Sequence, residues 1–337
     1  MRGTLSIGLA AALSLVGGTG GALAKPSVVV SVAPVHALVA GVMDGVAEPK
    51  LLVSGGASPH TYQLRPSDAR ALDGADVVVW VGEGLETFLV KPIEALGQGA
   101  RAVELSEDAD LVLLPNREGG AWESEDAGGE KPDHKHGHDK HGHGHKAHAG
   151  HDHGKAAHAG HDHGAEDMHV WLDPANARRI VRHVAGVLSE VDPANGVAYA
   201  ANADRTVTRI DALDAELRST LAPVQKAPYI VFHDAYQYLE RHYGLNAVGS
   251  VTISADQVPG ARRLREIRRK IADTGARCVF SEPQFSPSLV ATVTEGTKAR
   301  TAQLDPLGAT LEPGADLYEA MMRGLADSLR TCLAAAG

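Results

Sequence analysis

"SVVVSVAPV" (Ser27–Val35) is the stretch whose reading decides the fold. It is a short apolar run bounded by turn residues, and such a run reads as a strand buried in a parallel sheet covered on both faces. "PKLLVS" (Pro49–Ser54) and "DVVVWVG" (Asp76–Gly82) repeat the pattern, with helical periodicity between them. Beyond Pro223 the alternation restarts with "PYIVF", "NAVGSVTI", "ARCVFSEP" and "RTAQLD". The middle of the chain is helical. Asp173 can cap a helix with Pro174 in its first turn, and Ile180, Val184, Val187 and Leu188 share one face. A longer helical stretch from about Pro193 to Leu221 carries Val207, Ile210, Leu213, Leu217 and Leu221 at spacings of three and four. The expected fold is α/β: two lobes with mainly parallel sheets, residues 25–190 and 223–337, joined by a linking helix over 191–222.

The first lobe is interrupted. From Pro115 to about Asp167 the sequence is Gly, Glu, Asp, Lys and His with almost nothing to bury, so 115–167 reads as a disordered histidine-rich loop. Of 18 histidines in the chain, 12 lie in it: His134, His136, His138, His141, His143, His145, His148, His151, His153, His158, His161 and His163. The octet "AHAGHDHG" occurs twice, at Ala147–Gly154 and Ala157–Gly164, which points to growth by duplication. Imidazole has a reference pKa of about 6.5, so most are neutral at pH 7 and offer nitrogens to zinc, copper or nickel. A plain solvated spacer would not need metal-binding side chains. Because the loop must be ordered each time it chelates, its sites should be weak and auxiliary.

At 337 residues and 44% hydrophobic, the chain is long enough for two lobes that each bury a core. A net charge of −10 leaves no basic footprint for nucleic acid. Residues 1–24 read as a cleavable signal peptide: Arg2, an apolar run from Leu5 to Val16, and Ala22-Leu23-Ala24. With no lipid-accepting cysteine, no twin arginine and no later apolar stretch near the roughly 20 residues of a span, an exported, soluble monomer without stable membrane insertion is expected. In that oxidising setting Cys278 and Cys332 can pair, stabilising the fold by on the order of 4 kcal/mol; two buried thiols are the alternative.

A tight metal site should lie outside the loop. His60 follows "LLVSGGASP", His169 stands in "MHVWLDP" and His233 closes "YIVFHD", each beside an expected strand. Ligands of α/β sheets bind at strand carboxyl ends, so these three can converge, with Asp305 after "TAQL" supplying a carboxylate. Glu282 either supports a ligand imidazole from behind or caps the next turn. His36, His183 and His242 fall inside expected helices and read as packing or surface residues.

With these motifs, "SPHTYQLRPSDARAL", the His/Asp-rich loop, "HVWLDP", "VFHDAYQYLERHYGL", "FSEPQFSP" and "LDPLG", the mature chain resembles the periplasmic zinc-binding proteins of ZnuA type, receptors of ATP-driven zinc importers. The resemblance implies a metal site in the cleft between the lobes, with His60, His169 and His233 as ligands to Zn2+ and a membrane permease as partner. It leaves the fourth ligand to Asp305 or water, because Pro59 stands where some relatives carry a glutamate. It also implies a disulfide in the second lobe. Manganese relatives put a carboxylate where His233 stands; three imidazoles suit zinc better. The competing functions are a receptor for manganese, iron or another divalent metal, an extracellular buffer or adhesin, and a zinc hydrolase, for which no HExxH pair is present.

Overall fold

All five residues of β1 (Val28–Val32) are buried, because parallel strands flank it on both sides: β2 (Lys50–Val53) and β3 (Val77–Trp80). In this computed structural model, which describes residues 25–96, 99–117, 166–252 and 259–334, α1 (Ala33–Met43) follows β1, with Pro34 in its first turn where no N–H is missed. The helices α2 (Pro66–Asp73) and α3 (Val90–Leu96) flank β3, and β4 (Arg101–Glu104) closes the sheet before the single turn α4 (Leu105–Asp108). The order is β2-β1-β3-β4. Sequence periodicity does not reveal β4, since an edge strand with only Val103 buried lacks an apolar run.

The span expected as one loop, 115–167, reaches into ordered structure at both ends. Its ends form an antiparallel ladder, β5 (Leu114–Pro115) with β6 (Glu166–Asp167), pairing Leu114 with Asp167 and Pro115 with Glu166. The histidines from His134 to His163 lie outside the described residues.

A 3-10 turn (Val170–Leu172) leads into α5 (Pro174–Val191), capped as its sequence foretells: Asp173 Oδ1 accepts from the Ala175 N–H at 2.8 Å. The 26-residue α6 (Gly196–Leu221) then runs to the second sheet, burying Val207, Ile210, Leu213, Leu217 and Leu221. That sheet is built from β7 (Tyr229–Val231), α7 (Gln237–Tyr243), β8 (Ala247–Ser250), α8 (Ala261–Thr274), β9 (Cys278–Ser281), α9 (Ser288–Thr294) and β10 (Arg300–Gln303), before the C-terminal α10 (Leu317–Ala334). Gly244 and Gly275, at φ +66° and +63°, end α7 and α8 in the left-handed conformation that favours glycine. The order, β10-β9-β7-β8, is the first sheet's second-first-third-fourth order over again, and all its pairings are parallel.

The two lobes do not bury wholly separate cores. α10 packs back on α1 and α6, so that Val30, Val35, Trp171, Ile210, Tyr229 and Leu325 belong to a single contiguous cluster; only the outer faces of the sheets have clusters of their own, around Trp80 and around Phe232. Among the described residues no helix is long and apolar enough to cross a membrane.

Cys278 and Cys332 form a disulfide that ties β9 to α10 across 54 residues of sequence. Closing that loop should stabilise the fold by about 4 kcal/mol in the chain-entropy account. Denaturant unfolding of the Cys278→Ser/Cys332→Ser variant should show a loss of that order; an unshifted midpoint would refute it.

Candidate metal centre

His60, His169 and His233 come together. Each offers a ring nitrogen, and the three atoms lie within 4.8 Å of one another. The ring centroids are 5.4 Å apart for His60 and His169, 5.8 Å for His60 and His233, and 5.2 Å for His169 and His233. They reach this point from three separate parts of the chain.

His60 sits in the turn after β2, where Gly55 and Gly56 take φ of +66° and +79° to reverse the chain. Its motif residues brace that turn: the Tyr62 hydroxyl donates to Asp68 Oδ2 at 2.8 Å, and the same carboxylate oxygen accepts the Arg65 N–H at 2.9 Å at the head of α2. His169 follows β6 of the short antiparallel ladder rather than a strand of either parallel sheet. Its backbone N–H and its Nδ1 both reach Asp167 Oδ1, at 2.9 and 2.8 Å. Trp171 in the next turn donates from its indole to the Pro306 carbonyl at 2.8 Å, tying this segment to the second lobe.

His233 lies just beyond β7, and Glu282 just beyond the adjacent β9. This is the point where the strand order of the second sheet switches direction, the usual ligand position in such sheets. Glu282 Oε1 accepts from His233 Nδ1 at 2.8 Å and faces its backbone N–H at 3.3 Å. Of the two sequence readings for Glu282, the one that supports an imidazole describes its side chain.

A carboxylate at Nδ1 of each of these two histidines assigns the proton there and leaves the lone pair on Nε2. The two Nε2 atoms then face each other at 3.4 Å. Two nitrogens on a tetrahedral zinc, with bonds of about 2.05 Å, stand about 3.3 Å apart. The pair is thus set for one shared cation. Ser58, Pro59, Gln284, Phe285, Pro306 and Leu307 line the remaining wall, most of it apolar.

Burial and the neighbouring His233 hold His169 far below its ordinary value, at about 3, so that it is neutral at any physiological pH. Burial also lifts Asp167 to about 7, against the pull of the His169 N–H, Arg117 and His233. His233 is buried as well, but Glu282 and the charges of Asp234 and Asp167 outweigh that cost and raise it above 6.5.

Asp305 is not in the three-histidine group. Its strand, β10, is separated from β7 by β9, about 10 Å away at the usual strand spacing. Its carboxylate serves its own turn, taking the Leu307 N–H at 3.2 Å, the Thr310 N–H at 3.4 Å and the Gln284 amide at 3.4 Å. The other three histidines stay structural: His36 Nε2 donates to the Pro49 carbonyl at 2.9 Å, His183 is part-buried on α5, and His242 sits between Asp173 and Asp214 at 2.8 and 2.9 Å. Sequence reasoning missed Asp167, which it assigned to the loop. The spacing Asp-Met-His just after the polar tract was the one available signal.

The chain is similar to known proteins along nearly its whole length. Proteins named high-affinity zinc uptake system protein ZnuA are 47% identical in Brucella abortus (strain 2308), over 99% of both chains, and 42% identical in Paracoccus denitrificans, over 92% of both. The fold matches the crystal structure of a zinc-bound ZnuA deletion mutant with a TM-score of 0.70 at 22% identity, over 93% of this chain and 100% of that one. It matches the periplasmic zinc-binding protein TroA of Treponema pallidum with a TM-score of 0.70 at 20% identity, over 92% and 99%. The sequence profile described as "ZnuA: Zinc-uptake complex component A periplasmic" matches residues 28–332, and with it the chain belongs to the ZnuA family.

Proposed function

We propose that this protein captures zinc through His60, His169 and His233 and hands it to the membrane permease of an ATP-driven importer, without catalysing a reaction. Zinc is its cargo. The observation that carries the reading is the pair of Nε2 atoms facing each other at 3.4 Å, each imidazole backed by a buried carboxylate. Three neutral imidazoles are a borderline-soft set that suits zinc over manganese. A small approach of the His60 turn brings the third nitrogen to the ion, and water fills the fourth position more readily than Asp305, whose carboxylate would have to leave two backbone N–H groups. Glu282, the carboxylate a hydrolase would need as a base, is committed to His233. Residues 1–24 serve as the signal peptide that sends the chain to the periplasm, and the tract from His134 to His163 collects zinc for the cleft. The lobes divide at 25–190 and 223–337.

The direct test is His233→Ala. It should weaken tight zinc binding by more than the about 10- to 100-fold that loss of a supporting carboxylate costs, while Glu282→Gln should fall within that smaller range. Equal, near-native affinity in both would overturn the three-histidine site.

Acid should weaken binding through His233 rather than His169. Zinc needs Nε2 unprotonated, and a group raised above 6.5 takes up its proton earlier as the pH falls, whereas one near 3 does not. Zinc competition titrations should show affinity falling from about pH 8 to about pH 5, with His233 and Asp167 taking up protons as the ion leaves. An affinity flat across that interval would contradict it.

Removing Glu118–Ala165 should leave one tight zinc and abolish the weaker sites, since the β5/β6 ladder already holds the ends of the cut together. Cells carrying the deletion should grow normally in ample zinc and poorly under graded chelation. Loss of the tight ion would place loop histidines in the main site, and growth unaffected at every chelator level would remove the collecting role.

A further inference from the structure

Arg117 stands at the root of the histidine-rich insertion, two residues past β5. Its Nε donates to both carboxylate oxygens of Asp234, at 3.1 and 3.0 Å, its Nη2 donates to Asp234 Oδ1, and its Nη1 donates to Glu240 Oε2 at 2.7 Å. Asp234 is the residue after His233. The same short segment sends a third side chain to the ladder: the Tyr238 hydroxyl accepts the Leu114 N–H at 3.0 Å and donates to the Asp167 carbonyl at 2.7 Å. Asp167 is the residue whose carboxylate holds His169. The carboxylate that holds His169 and the segment that follows His233 therefore meet at one place, the base of the insertion.

We propose that Arg117 is a positioning residue for zinc binding, which joins the ladder that carries Asp167 and the turn that carries His233 into one unit at the root of the insertion. This rests on the zinc reading above. Glu240 is buried and Asp234 nearly so, with 6% and 15% of their side chains exposed. Two carboxylates so placed repel unless a cation is shared between them, and breaking a buried ion cluster by removing one partner leaves charge uncompensated. The planar guanidinium does more than neutralise: it grips Asp234 through a fork, fixing the orientation of the turn that carries His233. A binding constellation tolerates displacements of only about 0.5 Å, so a relaxed turn costs affinity.

Coulomb's law and positioning predict opposite signs here. Arg117→Gln removes a cation from the neighbourhood of a cation site, so on charge alone zinc should bind more tightly. If the fork positions His233, affinity should instead fall by about tenfold or more, and Arg117→Lys, with the charge but not the fork, should recover part of it.

The measurement uses the full-length chain, with zinc affinity from competition against a chelator strong enough to strip the loop. Co2+ serves as probe for the first equivalent, because its visible bands report ligand geometry and a purely structural role would lower the melting temperature of the metal-free protein without moving them. Tyr238→Phe, which deletes one hydroxyl from the ladder, carries the test if Arg117→Gln does not fold. It should likewise weaken zinc and shift the Co2+ bands. Unchanged or tighter binding with native Co2+ bands in the folded variant overturns the proposal. A wild-type chain with no tight ion, or one that His233→Ala leaves intact, would strike the zinc site itself and is thereby told apart from failure of Arg117.

Discussion

Two buried carboxylates, each at the Nδ1 of a buried imidazole, are the constraint on which the binding site depends. Asp167 and Glu282 decide which nitrogen of His169 and His233 carries the proton, and so where the lone pairs point. With both lone pairs aimed at the same 3.4 Å gap, the protein has made a place that is unfavourable to leave without a cation and nearly spaced for a tetrahedral one. The cost of burying the carboxylates is met by backbone N–H groups from the very residues they orient. Each carboxylate thus touches its histidine twice, at the ring and at the backbone.

The fold supplies the convergence. Each sheet follows the second-first-third-fourth order, and in the second sheet the switch between β7 and β9 sets His233 and Glu282 side by side although 49 residues separate them. From the first sheet comes His60, on the turn after β2, and between them the chain passes through the ladder that delivers His169. The shared core around α1, α5, α6 and α10 holds these contributions in register, with Trp171 reaching from the His169 segment to Pro306 and Tyr318 donating to the Trp171 carbonyl at 3.0 Å.

Most of this was legible in the residues, and the exceptions share a cause. The valine runs at β1 and β3 announce parallel strands because burial on both faces removes any need for polar positions, and Asp173-Pro174 announces α5 because a cap is a local device. β4 was hidden because an edge strand can be polar. For a related reason the sequence leaves the fourth ligand between Asp305 and water: it shows that Asp305 follows a strand but not that β9 lies between that strand and His233. Asp167 and Arg117 look like the ends of a polar tract. What makes them otherwise is a pairing across the tract and contacts with the segment from Asp234 to Glu240, neither of which leaves a periodic trace.

In the proposed site of three neutral ligands, charge balance does not depend on Asp305. A divalent ion held by imidazoles alone would bring its full charge into an apolar wall, a burial that costs several kcal/mol per ion even after relaxation. Asp167 and Glu282 lie one imidazole away, close enough to offset two positive charges through the rings they orient. In the metal-free protein burial lifts Asp167 to about 7, so the balancing charge there is incomplete until a cation arrives to favour it. Binding zinc and ionising Asp167 are then linked steps, and each favours the other. A carboxylate in direct contact with the metal would add attraction but also hold the cargo harder. By keeping the anions behind the histidines, the site gains neutrality while its bonds to the ion remain those of neutral nitrogen, which suits a protein that must give its metal up.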